Sequence, residues 1–343
     1  TLVNDITVSS SYRNLKAHLN GNGHTITLTN NNSLFDTIQG GYVKNLTLAG
    51  DIQISTPQIK GRFGALVGYV TNGAIIENCT NKVNIECRQG LQSALETTVG
   101  GLCGQANQNS RITGCNNQGT IISDALNTGG IAGYCNNVLS IDGCHNNAPI
   151  TVENAINENK EVRIGGVIGK MSISNSSTPF ATTCSNTGKI SLKSSTSNLT
   201  FCGGLFGSIS AGAVFVVNNC FNTGKIKSTA TNHSNKFFGG IIGIDGSINT
   251  STMRNCYNEG NIEITRGYAG GLLGRDYKMN IENCYAYCDI TAETAAGIVG
   301  DGMSLSITPN ITNCYYYKSI SGNTKHGIAS NSISSSNHFN VSY

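Results

Sequence analysis

The sequence predicts an all-β protein: a parallel β-helix, or β-solenoid, of about eight repeat coils with a cap at each end. A Gly-Gly-aliphatic-x-Gly block recurs eight times at intervals of 26 to 38 residues. A cysteine follows every block, and an isoleucine stands six residues after every one of these cysteines. Fixed columns at such intervals are typical of solenoids, in which each repeat is one structural unit that stacks on its neighbours.

The glycine block is the first column of the repeat. Two positions before its closing glycine stands an aliphatic residue, and three positions before stands glycine in every copy but one, where Ala65 replaces it. Adjacent glycines are expected where backbone walls approach closely or where φ must be positive. The closing glycines are Gly68, Gly104, Gly133, Gly169, Gly207, Gly243, Gly274 and Gly300.

The cysteine block predicts a corner. An aliphatic residue usually lies three positions before the cysteine, and two side chains three apart cannot both face inward on one straight strand. The residue just before the cysteine is Asn or Gly in every copy except at Thr183, and Asn and Gly best tolerate the left-handed conformation of a corner. The cysteines are Cys79, Cys115, Cys144, Cys184, Cys220, Cys256, Cys284 and Cys314, and the isoleucines are Ile85, Ile121, Ile150, Ile190, Ile226, Ile262, Ile290 and Ile320.

Each repeat is therefore predicted to contain three short strands joined by two tight corners, with a variable loop that closes the coil. The second corner is indicated by Asn-x-Gly after the cysteine, as at 186–188, 222–224 and 258–260. Equivalent residues of successive coils should stack about 4.8 Å apart, the spacing between neighbouring strands.

The two ends of the chain lack the full pattern and are predicted to be caps. Residues 1–58 have no glycine block but alternate like strands at 25–28 and 45–48, with the turn sequence Asn-Gly-Asn-Gly at 20–23. Terminal repeats of a solenoid must be atypical so that the core is covered. We predict a single solenoid domain over 1–343, with an N-terminal cap and first coils over 1–58, eight repeats over 59–320 and a C-terminal cap over 321–343.

Composition and motifs exclude several classes of function. Charged residues are 12% of the chain, the net charge is +3, and Lys and Arg form no basic stripe, so nucleic acid is not an expected partner. No apolar run approaches the roughly 20 residues of a membrane helix. The chain opens at Thr1 without Met, so we expect any leader or anchor to lie outside this sequence. No Cys-x-x-Cys or phosphate-loop motif occurs, and neither a metal nor a cofactor is predicted.

The copy at 270–285, with Gly-Gly-Leu-Leu-Gly followed by Ile-Glu-Asn-Cys-Tyr, resembles the GLUG motif. That repeat occurs in bacterial cell-surface proteins, many from Bacteroides-like gut organisms, and in some bacterial immunoglobulin A1 metalloproteases. The opening segment 19–26 is similar to the coil often found ahead of such repeats. The resemblance covers about 60–320 and implies a right-handed β-helix at the cell surface, with adhesion suspected and no established chemistry. The protease activity is not implied, because His-Glu-x-x-His is absent.

The thirteen cysteines are interpreted as buried thiols rather than disulfides or metal ligands. Cysteines stacked in register would have Cβ atoms about 4.8 Å apart, whereas a disulfide needs about 3.8 Å. A free cysteine behaves as a small hydrophobe, which suits a narrow core. We therefore expect an inward cysteine ladder.

Carboxylates are the candidate catalytic residues, because polysaccharide cleavage needs two that converge. Asp245 and Asp276 stand two residues after the closing glycine of adjacent copies, and Asp301 stands one residue after it in the next copy. We interpret all three as solvated corner residues. They are also the first residues to replace if cleavage is found.

The position directly after each motif cysteine is the candidate ligand-binding column. It is polar in the N-terminal half and aromatic in the C-terminal half, where it reads Phe221, Tyr257, Tyr285 and Tyr315. If the cysteine faces inward, strand alternation turns its neighbour outward, and the exposed rings would offer a surface to a sugar or to a partner chain. The alternative is that the rings fold back over the core or stack only to stabilise the coils.

The predicted function is a non-enzymatic, adhesin-like binding module, extracellular or on the outer cell surface. Its faces and loops would bind a glycan or a host or bacterial surface protein. A polysaccharide lyase or glycoside hydrolase on the same fold is one alternative, and a passive structural stalk is another. A groove of convergent carboxylates would favour the enzyme, exposed aromatics would favour binding, and neither would favour the stalk.

Overall fold

A computed structural model describes residues 1–55, 61–88, 96–153, 161–174, 180–193, 199–231, 235–302, 310–317, 319–323 and 339–340. These residues form short strands and turns, and none of them is helical. Strands pair in parallel with their equivalents one coil before and one coil after. The predicted parallel β-helix is confirmed.

Each full coil has five short strands, so the prediction of three was wrong. In one coil the strands are Thr98–Gly100, Cys103–Asn107, Arg111–Thr113, Asn116–Asn117 and Ile121–Ser123. The glycine pair bends the chain between the first two strands, and the Asn-x-Gly segment bends it again between the last two. We number the five stacks of strands face 1 to face 5 in this order.

Faces 1 and 2 flank the glycine pair. Face 1 contains Arg62–Phe63, Thr98–Gly100, Asn127–Gly129, Glu161–Gly165, Leu199–Gly203, Lys236–Gly239, Tyr268–Gly270 and Thr294–Ala296. Face 2 contains Tyr12–Leu15, Phe35–Gln39, Val67–Thr71, Cys103–Asn107, Ala132–Asn136, Ile168–Ile173, Phe206–Ala211, Ile242–Asp245, Leu273–Asp276 and Val299–Gly302.

Faces 3, 4 and 5 complete the coil around the cysteine block. Face 3 contains Leu19–Asn20, Tyr42–Lys44, Ile75–Glu77, Arg111–Thr113, Ser140–Asp142, Phe180–Thr182, Val216–Asn218, Thr252–Arg254, Asn280–Glu282 and Ile311–Thr312. Face 4 contains Ile6–Val8, Thr25–Leu28, Thr80–Asn81, Asn116–Asn117, His145–Asn146, Ser185–Asn186, Phe221–Asn222, Tyr257–Asn258, Tyr285–Tyr287, Tyr315–Tyr317 and Phe339–Asn340. Face 5 contains Asn84–Cys87, Ile121–Ser123, Ile150–Val152, Ile190–Leu192, Ile226–Ser228, Ile262–Ile264, Ile290–Thr291 and Ile320–Ser321, while Thr47–Ile54 runs through faces 4 and 5.

The N-terminal coils differ from the repeats on face 1. Residues 1–55 contribute no strand to face 1, which begins at Arg62; this agrees with the missing glycine block. The predicted strand at 25–28 is present, and the strand predicted at 45–48 begins at Thr47. The predicted C-terminal cap lies largely outside the described residues.

The predicted corner before each cysteine is confirmed. All eight residues at this position have positive φ, between 51° and 61°. Seven are Asn or Gly, and the eighth is the β-branched Thr183 at 52°. This turn allows the aliphatic residue before the corner and the cysteine after it to face the core together. The eight residues are Asn78, Gly114, Gly143, Thr183, Asn219, Asn255, Asn283 and Asn313.

One hydrophobic core runs along the solenoid from Val8 to Cys314. All thirteen cysteines are buried, and none of them forms a disulfide. The Sγ of each motif cysteine lies 3.1–3.4 Å from the backbone carbonyl oxygen two residues earlier, close enough for the thiol to donate a weak hydrogen bond. Burial raises the pKa of the Cys87, Cys103 and Cys202 thiols well above the usual range, so these thiols stay protonated and unreactive.

Candidate functional site

The aromatic column after the motif cysteines faces outward on face 4. The ring of Tyr257 stacks between those of Phe221 and Tyr285, with centroids 5.0 Å apart and planes within 3° on each side. The side chains of Tyr285 and Tyr315 are 39% and 43% exposed. Phe221 and Tyr257 are half-buried. The role of these four residues in ligand binding stays a prediction.

A second pair of exposed tyrosines lies beside the end of this column. Tyr287 and Tyr317 stack with centroids 5.2 Å apart and are 44% and 38% exposed. They stand two residues after Tyr285 and Tyr315 and share their outward side by strand alternation, whereas the intervening Tyr316 packs against the core. We call Tyr285, Tyr287, Tyr315 and Tyr317 the tyrosine quartet.

Stacking determines which part of each ring a ligand would contact. Rings about 5 Å apart and nearly parallel cover the faces that they turn toward each other, so Tyr257, which is stacked on both sides, presents its edge and its hydroxyl. The hydroxyl of Tyr285 donates to Glu259 Oε1 at 3.2 Å. Burial and the neighbouring Glu259 raise the pKa of Tyr285 to about 12, so this phenol remains a hydrogen-bond donor at neutral pH.

The three candidate carboxylates do not form one exposed cluster. Asp245 and Asp276 are paired in register on face 2 and are 0% and 2% exposed, so the prediction that they are solvated was wrong. They continue the inward column that contains Ile209 in the preceding coil, because the strand keeps its alternation past the closing glycine. Asp301 faces outward and lies 3.2 Å from Arg275 Nε.

The buried aspartates are incompletely paired. Oδ1 of Asp245 accepts from the backbone N–H and hydroxyl of Ser247, and Oδ1 of Asp276 accepts from the N–H groups of Lys278 and Met279. Each Oδ2 is buried without a hydrogen-bond partner. Burial raises the pKa of Asp245 to about 6; burial and the nearby Asp245 charge raise that of Asp276 to about 7.

An asparagine ladder inside face 4 was not predicted from the sequence. Six side chains, each two residues after a motif cysteine, are fully buried. Each of the first five donates from Nδ2 to Oδ1 of the asparagine in the next coil, at 2.7–2.8 Å. Asparagine fills this position in six successive copies, which is a usable signal, but Asn-x-Gly by itself indicates only a turn. The residues are Asn81, Asn117, Asn146, Asn186, Asn222 and Asn258.

Comparison with known families identifies the repeat. A model of the GLUG motif matches residues 61–86 and 96–122, and each segment contains one glycine block and one cysteine block. The chain is a GLUG-repeat protein. The GLUG columns recur in the six later copies up to Ile320. No curated protein matches this GLUG-repeat chain.

The geometry explains why the GLUG block needs its glycine pair. A Cβ added at Gly166 would lie 2.0 Å from the carbonyl oxygen of Gly204 and 2.5 Å from Cγ of Asn186. The neighbouring Gly165 is equally confined, with the Ile168 carbonyl oxygen at 2.0 Å. The second glycine of the pair therefore gives the asparagine ladder the room that it occupies, and the first lets the backbone pass close to the carbonyl of Ile168.

Membrane helices and metal clusters are absent from the part of the chain that the structure describes. Within the described residues, no helix is long and apolar enough to cross a membrane. The same residues contain no group of three or more His, Cys, Asp or Glu side chains arranged to hold a metal ion.

Proposed function

We propose that this GLUG-repeat protein is a non-enzymatic binding module of the cell surface, and that the tyrosine quartet contacts its partner. The observation that carries the proposal is the exposure of four adjacent tyrosines, each between 38% and 44%. Contiguous apolar patches on a protein surface tend to mark interaction sites. The location at the cell surface is supported by the resemblance of the repeats to GLUG-containing surface proteins.

The chemistry of the quartet favours a protein partner over a sugar. Sugars stack on open ring faces, and here Tyr257 covers one face of Tyr285, while Tyr287 and Tyr317 cover one face of each other. The edges and hydroxyls that remain combine apolar area with hydrogen bonding, and tyrosine is enriched at protein interfaces for this reason. An adhesin-like contact with a host or bacterial surface protein fits this surface.

The placement of the carboxylates supports binding rather than cleavage. Asp245 and Asp276 lie inside the core, where a polysaccharide has no access to them. Asp301 is held by Arg275 and has neither of the other two beside it on the outside of the solenoid. A pair of accessible carboxyls, which glycoside hydrolysis requires, is therefore not formed by these residues.

The test is a binding screen with purified matrix proteins and mucin. The natural chain and the variant Tyr285→Ser/Tyr287→Ser are immobilised at equal density, and binding is measured by surface plasmon resonance. We expect at least one protein to bind the natural chain and to bind the variant about tenfold or more weakly. The melting temperature should change little, because both side chains are exposed.

Tyr12→Ser is the matched control. Tyr12 is 52% exposed at the opposite end of the solenoid, so its replacement should leave binding unchanged. A large fall in melting temperature of the quartet variant with unchanged binding would show that the rings only stabilise the coils. Release of reducing or unsaturated sugar from a polysaccharide would refute the non-enzymatic assignment.

A further inference from the structure

A groove runs along the outside of the solenoid where faces 1 and 2 meet. Side chains of the two faces contact each other across the bend. The guanidinium of Arg62 lies 4.6 Å from the ring centroid of Tyr69, and that of Arg275 lies 4.5 Å from the ring centroid of Phe237. This surface is distinct from the tyrosine quartet, which lies on face 4.

The groove widens between Lys170 and Arg275, which are three coils apart, or about 14 Å at the spacing of strands. The column between them contains Ser208 and Ile244, and the small Ser210 stands two residues after Ser208 on the same outward side. The space that they leave is about 530 Å³. That volume lies within the usual range for small-molecule sites, roughly 300–1,000 Å³.

One wall of the widened groove is apolar. Phe201, Phe237 and Ile244 form a hydrophobic cluster separate from the main core. Phe201 and Phe237 stack at 5.8 Å, and the 41% exposed ring of Tyr277 lines the far end of the groove. Phe201 and Ile244 line the groove but are only 4% and 7% exposed, so Tyr277 is the ring that a ligand can reach.

The charges of the groove balance locally. Glu96 pairs with both Arg163 and Lys170, at 3.2 and 2.9 Å, and Glu161 also contacts Arg163. At the other end Asp301 pairs with Arg275. Because each cation has a carboxylate beside it, the groove does not favour an ionic ligand, yet guanidinium, ammonium and serine groups retain capacity to hydrogen-bond hydroxyls.

We infer that this groove binds a neutral oligosaccharide along the solenoid axis. The hydroxyls of the sugar meet Lys170, Ser208 and Ser210, while its C–H surface rests on the exposed ring of Tyr277. This site goes beyond the proposed function and does not depend on the tyrosine quartet.

The test uses isothermal titration calorimetry of the whole chain with four probes: cellotetraose, mannotetraose, chitotetraose and tetragalacturonate. We expect at least one of the three neutral tetrasaccharides to bind and the acidic one not to bind. Ser208→Leu fills the groove and should weaken binding about tenfold or more. Ser210→Tyr, at an exposed position on the rim, should do the same without burying new atoms in the core.

Two control variants show whether the sugar binds in the widened groove itself. Gln105→Leu changes the same column three coils earlier, outside the widened groove, and should leave sugar binding intact. The Tyr285→Ser/Tyr287→Ser variant should also bind sugar normally, even if it has lost a protein partner. Failure of all three neutral sugars to bind, preference for tetragalacturonate, or sugar binding that survives both groove-filling variants would overturn the inference.

Discussion

Two polar columns are buried in the same solenoid, and they differ in whether every buried polar atom has a hydrogen-bond partner. In the asparagine ladder each amide donates to the next coil and also to the backbone carbonyl two residues ahead, as Asn117 does to Asn146 and Gly119. Asp245 and Asp276 are likewise stacked one coil apart, but each leaves one oxygen without a partner. An amide is both donor and acceptor, whereas a carboxylate only accepts.

The comparison shows that a buried polar column is stable where every donor meets an acceptor, including at its ends. The ladder ends at Asn258, whose Nδ2 donates to the sulfur of Cys288 at 3.1 Å. In the next coil the column continues with Ala286, and at the other end it begins beside Leu48. The aspartate pair lacks these partners: burial raises the pKa of both carboxyls, and the charge of Asp245 raises the pKa of Asp276 further.

The largest expected effect comes from making the ladder resemble the aspartate pair. Asn117→Asp keeps the acceptor for Asn81 but removes the protons that Asn146 and Gly119 accept. A buried charge would then face two oxygens, so we expect a loss of about 3 kcal/mol or more in the free energy of unfolding at neutral pH. Urea denaturation measures this loss.

Asn116→Asp is the control for the ladder variant. Asn116 is the preceding residue and turns outward, where its Oδ1 accepts from Asn147, a bond that a carboxylate can also accept. Its replacement should change stability by less than about 0.5 kcal/mol. Equal losses in the two variants would contradict the proposed importance of the ladder.

The second effect comes from making the aspartate pair resemble the ladder. The folded pKa values of Asp245 and Asp276, about 6 and about 7, exceed the ordinary 3.8. The folded state therefore binds more protons than the unfolded state between about pH 4 and 7, and stability falls as pH rises through this window. Asp276→Asn should stabilise the protein by about 2 kcal/mol above pH 7 and have little effect near pH 4.

Thermal melts of the natural chain and the Asp276→Asn variant at pH 4 and pH 8 measure this effect. The natural chain should lose more stability between these two pH values than the variant does. If the two chains show the same pH dependence, the buried pair is not the source of it.

The smallest expected change in stability comes from a corner that lies outside both polar columns. Thr183 is the only β-branched residue among the eight corner residues, all of which have positive φ. Replacement by Asn, which tolerates this conformation, should stabilise the protein by about 1 kcal/mol. The control is Thr182→Asn, in the adjoining strand on face 3, which should give no such gain in stability. If the melting temperature of Thr183→Asn is the same as that of the natural chain or lower, the corner at Thr183 is not strained.

The columns that the sequence predicted best are those set by local backbone rules. The corner at Asn219, the inward Cys220 and the inward Ile226 follow from strand alternation and from the φ that Asn accepts. The same rules turned Phe221 outward. The rules did not predict that the side chain of Asn222 is buried. An Asn-x-Gly segment indicates a turn, but it does not show whether the asparagine side chain points outward or, as here, into the core.

The sequence by itself determined the parallel β-helix, its coils, its corners and its inward cysteines, because each depends on a residue and its near neighbours. Only the tertiary structure decided which polar side chains are buried together. Asn117 and Asn146 are 29 residues apart in the chain, and their contact exists only after coils stack in register. The burial of Asp245 and the stacking of Tyr287 on Tyr317 depend on that same stacking of coils, which no single repeat contains.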